Sequence, residues 1–166
     1  MADITKLRVA PAYVSFDGSD IGLLSYDQPV EIDDTDKEVI MRAGIYGDTA
    51  IDAVNNGHEC TVMVTVVEVT AAKLAMAIPS STLVGSTVTV TSKVGQRMRS
   101  AAKALIITRI LDGVPSTDPD DIFTFPLASP APGSIKQTFS PSKQAEFTIK
   151  FRVWQDLTTG EFYHTG

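Results

Sequence analysis

The sequence predicts a mainly β protein, a β-sandwich or barrel with one short flanking helix. Three observations carry this. Short segments of period-two alternation recur along the chain, separated by Gly, Pro, Asn and Asp clusters. The clearest are Cys60 to Val69 and Ala145 to Val153, both rich in β-branched residues. Only one segment, Thr70 to Ile78, has helical spacing and helix punctuation.

Taken in order, residues 1–11 read as a polar arm ending at Pro11, and 12–166 as a single domain. Ala12 to Phe16 is a short strand, Asp17-Gly-Ser-Asp20 a turn, and Ile21 to Leu24 a second short strand. Gln28 to Ala43 alternates on both sides of Asp34-Thr35. That predicts a hairpin around an acidic turn, with one dry face and one charged face. Residues 44–57 read as a long turn-rich loop. Asn56-Gly57, a strong hairpin signal, leads into the strand from Cys60. There Cys60, Val62, Val64 and Val66 share the apolar face.

The helix follows. Thr70 is its N-cap, Leu74, Ala77 and Ile78 form one face, and Pro79 stops it. Thr87 to Thr91 alternates again, and Ala104 to Leu111 is apolar enough for a central strand. Residues 112–133 read as a second long loop with a brief strand at Ile122 to Phe125. Three prolines in Pro126 to Gly133 argue against regular structure there. Ser134 to Phe139 is a further strand. In the strand Ala145 to Val153, Phe147, Ile149, Phe151 and Val153 point inward. Asp156 to Gly160 is a turn, and Glu161 to Tyr163 closes the domain.

The 166 residues are 43% hydrophobic and 20% charged, a balance that supports a real core. No apolar run approaches the ~20 residues of a membrane helix, and the first residues lack a signal-peptide pattern. The net charge of −6 is uneven. Residues 1–59 carry 12 acidic and 4 basic side chains; the remainder carries 8 and 10. Such an acidic protein is not expected to bind nucleic acid through phosphates. Lys93, Arg97, Arg99 and Lys103 form a basic stretch without an acid, but no aromatics interleave it, so a solvated or inter-subunit face is expected.

Candidate chemistry is thin. The one cysteine, Cys60, sits on the apolar strand face, where a buried structural thiol is expected. His58 and His164 are the only histidines, too few with Cys60 for a closed zinc site. Asp33-Asp-Thr-Asp36-Lys-Glu38 lacks the glycine and terminal glutamate of a calcium loop. Gly-rich phosphate loops and hydrolase or metalloprotease motifs are missing too. No catalytic residues, cofactor or metal are therefore expected.

Several segments, in order, resemble the major tail tube proteins of long, non-contractile-tailed bacteriophages. Val14-Ser-Phe-Asp-Gly-Ser-Asp-Ile-Gly-Leu resembles the family's opening strand and turn. Ile45-Tyr-Gly-Asp-Thr-Ala-Ile-Asp, followed by Asn56-Gly-His-Glu, resembles its Tyr-Gly signature, with Ala50 in place of the usual Pro. Glu68-Val-Thr and the helix ending at Pro79 follow as in the family. The end of the chain, from Ala145 through Asp156-Leu-Thr-Thr-Gly160 to Gly166, resembles the family's closure. The resemblance spans roughly residues 12 to 166.

It implies a tail-tube fold shared with the tubes of contractile tails and type VI secretion systems. It also implies hexameric rings stacked into a tube in the virion tail, with a tape measure protein inside and a tail terminator at the end. DNA would pass through the lumen at ejection without sequence-specific binding. In that setting Glu31, Asp33, Asp36 and Glu38 are expected to line an acidic lumen that repels phosphate. Ile45, Tyr46 and Asp48, with Arg97 and Arg99, are expected at contacts between subunits, where acidic and basic segments would fix register. The competing expectation is a monomeric β-sandwich binding module, such as a tail decoration or adhesin domain. That reading calls for clustered exposed aromatics, and the one Trp and four Tyr are scattered.

Overall fold

The computed structural model describes residues 11–27, 30–91, 93–131, 135–138 and 145–166. The arm at 1–10 and parts of the strand expected at 134–139 lie outside them. The protein is mainly β, as expected. Among the described residues its strands are β1 (Ala12–Phe16), β2 (Ser19–Asp20), β3 (Val30–Arg42), β4 (Ala50–Val66), β5 (Ser81–Val84), β6 (Thr87–Val90), β7 (Lys103–Leu111), β8 (Val114–Pro115), β9 (Ile122–Pro130), β10 (Lys136–Thr138), β11 (Glu146–Val153) and β12 (His164–Thr165), with one α-helix, α1 (Ala71–Ala77). The main sheet runs β2-β1-β7-β9-β11-β4-β3, and every pairing in it is antiparallel. β8, β10 and β12 attach to β7, β11 and β9; β5 and β6 form a separate hairpin.

Two Asp-Gly pairs make tight turns of the same kind. Asp17 and Gly18 (φ 51° and 72°) join β1 to β2, and Asp112 and Gly113 (φ 51° and 81°) join β7 to β8. Positive φ at both central residues matches the right-handed twist of the flanking strands. The second turn lies in what reads from the sequence as loop.

The sheet curls over its own core. Phe16 of β1 and Phe151 of β11 have two strands, β7 and β9, between them in sheet order, yet their ring centroids are 5.1 Å apart. Leu23 and Ser25 bond the backbone of Val67 and Thr65 at the end of β4, tying the β1 side back to that strand. Val14, Phe16, Cys60, Val62, Val64, Val66, Leu105, Phe125, Phe147, Ile149 and Phe151 fill the interior, each at most 6% exposed. The inward row of β11 and the buried Cys60 are as the alternation predicts.

The helix is also where expected. Thr70 Oγ1 accepts from the Lys73 amide at 3.3 Å, and the Ser81 hydroxyl donates to the Ala75 and Ile78 carbonyls at the other end. With only seven residues it depends on packing, which Ala77, Leu74 and Met76 supply against the core.

Four expectations are corrected. Residues 30–42 are not a hairpin around Asp34-Thr35 but one uninterrupted strand, whose partner throughout is β4. Cross-strand pairing outweighs the poor strand propensity of the carboxylates. Asn56-Gly57 is no hairpin turn. Lys37 pairs with Gly57 and Glu38 with Asn55, so Asn56 is the extra residue of a bulge, and Gly57 takes φ 135° there. The loop expected over 44–57 shrinks to a turn at 43–49, built on a 3-10 turn at Gly44–Tyr46. Finally, β9 continues through Pro126 to Pro130. Its register against β7 slips between Lys103 and Leu105, which absorbs Pro126 in a bulge, and Pro130 ends the strand.

Candidate functional site

The feature that the core does not explain is the β3–β4 hairpin. All thirteen residues of β3 pair with residues of the seventeen-residue β4, from Val30 opposite Val64 at the base to Arg42 opposite Ala50 at the tip. At about 3.4 Å per residue this is an arm of roughly 45 Å. Its base belongs to the core: Cys60, Val62, Val64 and Val66 are fully buried. Beyond the bulge, every residue of β4 from Ala50 to Gly57 is exposed, as is the whole of β3 after Val30.

That distal arm is apolar on both faces. Val39 lies opposite Val54, and Ile40, on the other face, lies opposite Ala53. Val39, Ile40, Met41, Ile51 and Val54 are each about half exposed, and at the tip Ile45 is 83% exposed. A two-stranded ribbon in water is marginal by itself, and exposed apolar faces of this extent mark contact surfaces. Among the described residues β3 is also the last strand of the sheet, an edge that can take a further strand.

The four acidic residues singled out from the sequence do not share a face. Since β3 is one strand, Glu31 and Asp33 point to one side and Asp36 and Glu38 to the other. Glu31 and Asp33 lie on the outer polar face. There Asp33, Thr35, Lys37, Glu59, Thr61 and Lys150 line a shallow hollow. Lys37 lies 2.5 Å and Arg152 3.0 Å from the Glu59 carboxylate. Lys37, then Arg152, hold that carboxyl below its usual range. The face is thus charge-balanced rather than acidic.

On the opposite side Asp34 and Asp36 converge on His58. Nε2 is 2.6 Å from Asp34 Oδ1 and Nδ1 is 2.9 Å from Asp36 Oδ1. The hydrogen bond to His58, helped by Asn55, lowers the Asp36 carboxyl. Tyr163 donates its phenol to Asp34 Oδ2 at 2.6 Å, which raises the phenol. In the sequence His58 directly follows the turn signal Asn56-Gly57, which masks this placement. Pairing residues 30–42 with 50–66 would have placed it opposite Asp36.

Ile45, Tyr46 and Asp48 sit together at the arm's tip, where Asp48 makes only an exposed 3.6 Å pair with Arg42. Arg99 sits instead at the arm's base. It lines a hollow of about 490 Å³ with Lys37, His58, Arg152, Trp154 and Phe162. Arg97 precedes the 3-10 turn Met98–Ala101 that carries Arg99. Within one chain the structure does not bring the tip and this basic turn together.

Burial pushes the Cys60 thiol up to about 11, with Asp34 and Asp33 adding to the effect, so it is no nucleophile at neutral pH. Among the described residues, no group of three or more His, Cys, Asp or Glu side chains is placed to hold a metal ion. In comparison with known proteins, no family model and no curated protein matches the chain.

Proposed function

We propose that the chain is a structural subunit of a phage tail tube, assembling as hexameric rings that stack around a lumen through which DNA passes. One observation carries this reading: a long hairpin with apolar residues on both faces and an open strand edge, projecting from a small core. Adding strands from neighbouring copies along β3 would close the edge, and a ring of such contacts is a heterologous interface that repeats without limit when stacked. The ordered segments that resemble those of tail tube proteins support the same reading.

The lumen assignment changes with the fold. The polar face of β3, β4 and β11 is the better wall, with Glu31, Asp33 and Glu59 set against Lys37, Lys150 and Arg152. Neutralised cations give phosphates little to hold. The tip residues Ile45, Tyr46 and Asp48 then meet a neighbouring copy, with the turn carrying Arg97 and Arg99 as the complementary basic surface.

Electron microscopy of the purified protein tests this directly. Rings or tubes are expected. A uniform population of monomers at high concentration would instead favour the binding-module reading. A reconstruction with Glu31 on the outer surface would reject the lumen assignment alone.

A further inference from the structure

His58 lies toward the base of the arm, on the core side of the bulge and away from the apolar distal faces. Its ring is wedged between two carboxylates, Asp34 Oδ1 at 2.6 Å and Asp36 Oδ1 at 2.9 Å, each facing a different ring nitrogen. A neutral imidazole has one donor and one acceptor. It can serve one carboxylate, but the second nitrogen then turns a lone pair toward an anionic oxygen. Only the doubly protonated ring donates to both.

The same cluster holds the end of the described chain. Phe162 packs on the His58 ring with centroids 4.6 Å apart, and Tyr163 bonds Asp34. The next two residues form β12, which pairs with Thr124 and Phe123 of β9. The arm and the C-terminal segment, 129 residues apart in sequence where Tyr163 bonds Asp34, therefore meet at the His58 cluster.

We propose that Asp34, His58 and Asp36 form a proton-controlled clasp that fastens residues 162–165 to the base of the hairpin arm. With the ring charged, the clasp is closed. Loss of one proton breaks one charge-assisted bond and leaves Asp34 and Asp36 without a cation between them, and the C-terminal segment loosens. Histidine is the side chain whose charge ordinarily changes between pH 5 and 8, so the clasp opens on the alkaline side. On the acid side it persists until the carboxylates protonate, and the hydrogen bond from His58 delays that at Asp36.

The surrounding charges are mixed. Lys37 and Glu59 from the arm, Arg99 from the 3-10 turn and Arg152 from β11 line the same hollow as His58. Glu59 is engaged by Lys37 and Arg152. From the C-terminal segment, Glu161 lies 3.8 Å from His164. Cys60, opposite Asp34, remains a neutral thiol. The two carboxylates in direct contact are the nearest charges to the ring.

Two measurements on the full chain test the clasp. Nitrogen-15 spectra of the imidazole at pH 5.5 should show both His58 nitrogens protonated; a neutral tautomer there overturns the proposal. Amide exchange followed from pH 5.5 to 8.5, expressed as protection so that intrinsic rates cancel, should show protection of β12 falling roughly tenfold, the consequence of losing a bond to a charged group. Protection of β7 should stay constant. His58→Gln should remove the step, and Asp36→Asn should shrink it. His164→Gln should retain it, because His164 belongs to the fastened segment and not to the Asp34–His58–Asp36 cluster. A flat profile in the unmodified protein, a step that survives His58→Gln, or one that vanishes in His164→Gln would each refute it.

Discussion

Phe16 and Phe151 pack ring to ring at 5.1 Å across the interior, joining β1 to a strand that it does not hydrogen-bond. This contact, more than any pairing in the sheet, records that the sheet has curled over its core. Phe151 is fully buried and Phe16 is 5% exposed. Phe151→Ala is expected to cost about 3–5 kcal/mol, the transfer loss plus an unfilled cavity. Urea unfolding of the monomer would show it as a lower midpoint with an unchanged slope. A loss under about 1 kcal/mol would mean that the two halves of the sheet can collapse onto the gap.

A second buried contact is ionic. Asp121, 5% exposed, lies 3.3 Å from Arg109 and accepts a 2.8 Å hydrogen bond from Ser116. It ends the short 3-10 turn that leads into β9, and Asp118 caps that turn through the Asp120 amide. Removing one partner of a buried pair leaves the other charge without compensation. Asp121→Ala should therefore cost about 3 kcal/mol or more. Replacing Ser116 by Ala should cost about 1 kcal/mol, as for an ordinary hydrogen bond. Thermal unfolding of both variants separates the two, and equal losses would contradict this ranking.

The core was legible in the sequence because alternation reports burial directly. Phe147, Ile149, Phe151 and Val153 were assigned inward and are buried, as are Cys60, Val62, Val64 and Val66. The helix was legible because Thr70 and Pro79 mark its ends by local chemistry. The arm was not, since local signals there oppose the structure. Asp34-Thr35 and Asn56-Gly57 are turn formers by propensity, yet both lie inside strands, where Asp34, Thr35 and Gly57 are held by pairing partners 20 to 26 residues away. The bulge at Asn56 also explains why period-two counting fails across it. The His58 cluster depends wholly on that long-range register, so no local pattern announces it.

Cys60 allows a test of burial and pH together. Its thiol is raised from an ordinary 9.0 to about 11, chiefly by desolvation. The folded state thus holds the thiol proton more tightly than the unfolded chain does. The resulting stability is fully present below about pH 9 and is lost as pH rises toward 11. Native protein at pH 8 should resist alkylation by iodoacetamide, and labelling should follow global unfolding in urea. Prompt labelling without denaturant would show that the base of the arm opens locally. Cys60→Ser should also flatten the decline in stability between pH 9 and 11.

The arm separates assembly from folding. Val39 and Ile40 point to opposite faces of the distal ribbon and are about half exposed, so neither contributes to the core. Replacing both by Lys should leave the monomer's unfolding free energy within roughly 0.5 kcal/mol, the usual range for surface changes. If the arm is the contact element of a tube, the same variant should fail to form rings or tubes, because a charge buried in an interface without a partner is costly. Sedimentation velocity with electron microscopy reads both states. Raised salt should in addition slow assembly of the unmodified protein if Asp48 and the Arg97–Arg99 turn meet between copies, since screening weakens exposed pairs. Tubes formed equally well by the Lys variant would remove the arm from the interface. An assembly rate indifferent to salt would remove only the ionic contact, leaving the apolar faces as the driving surface.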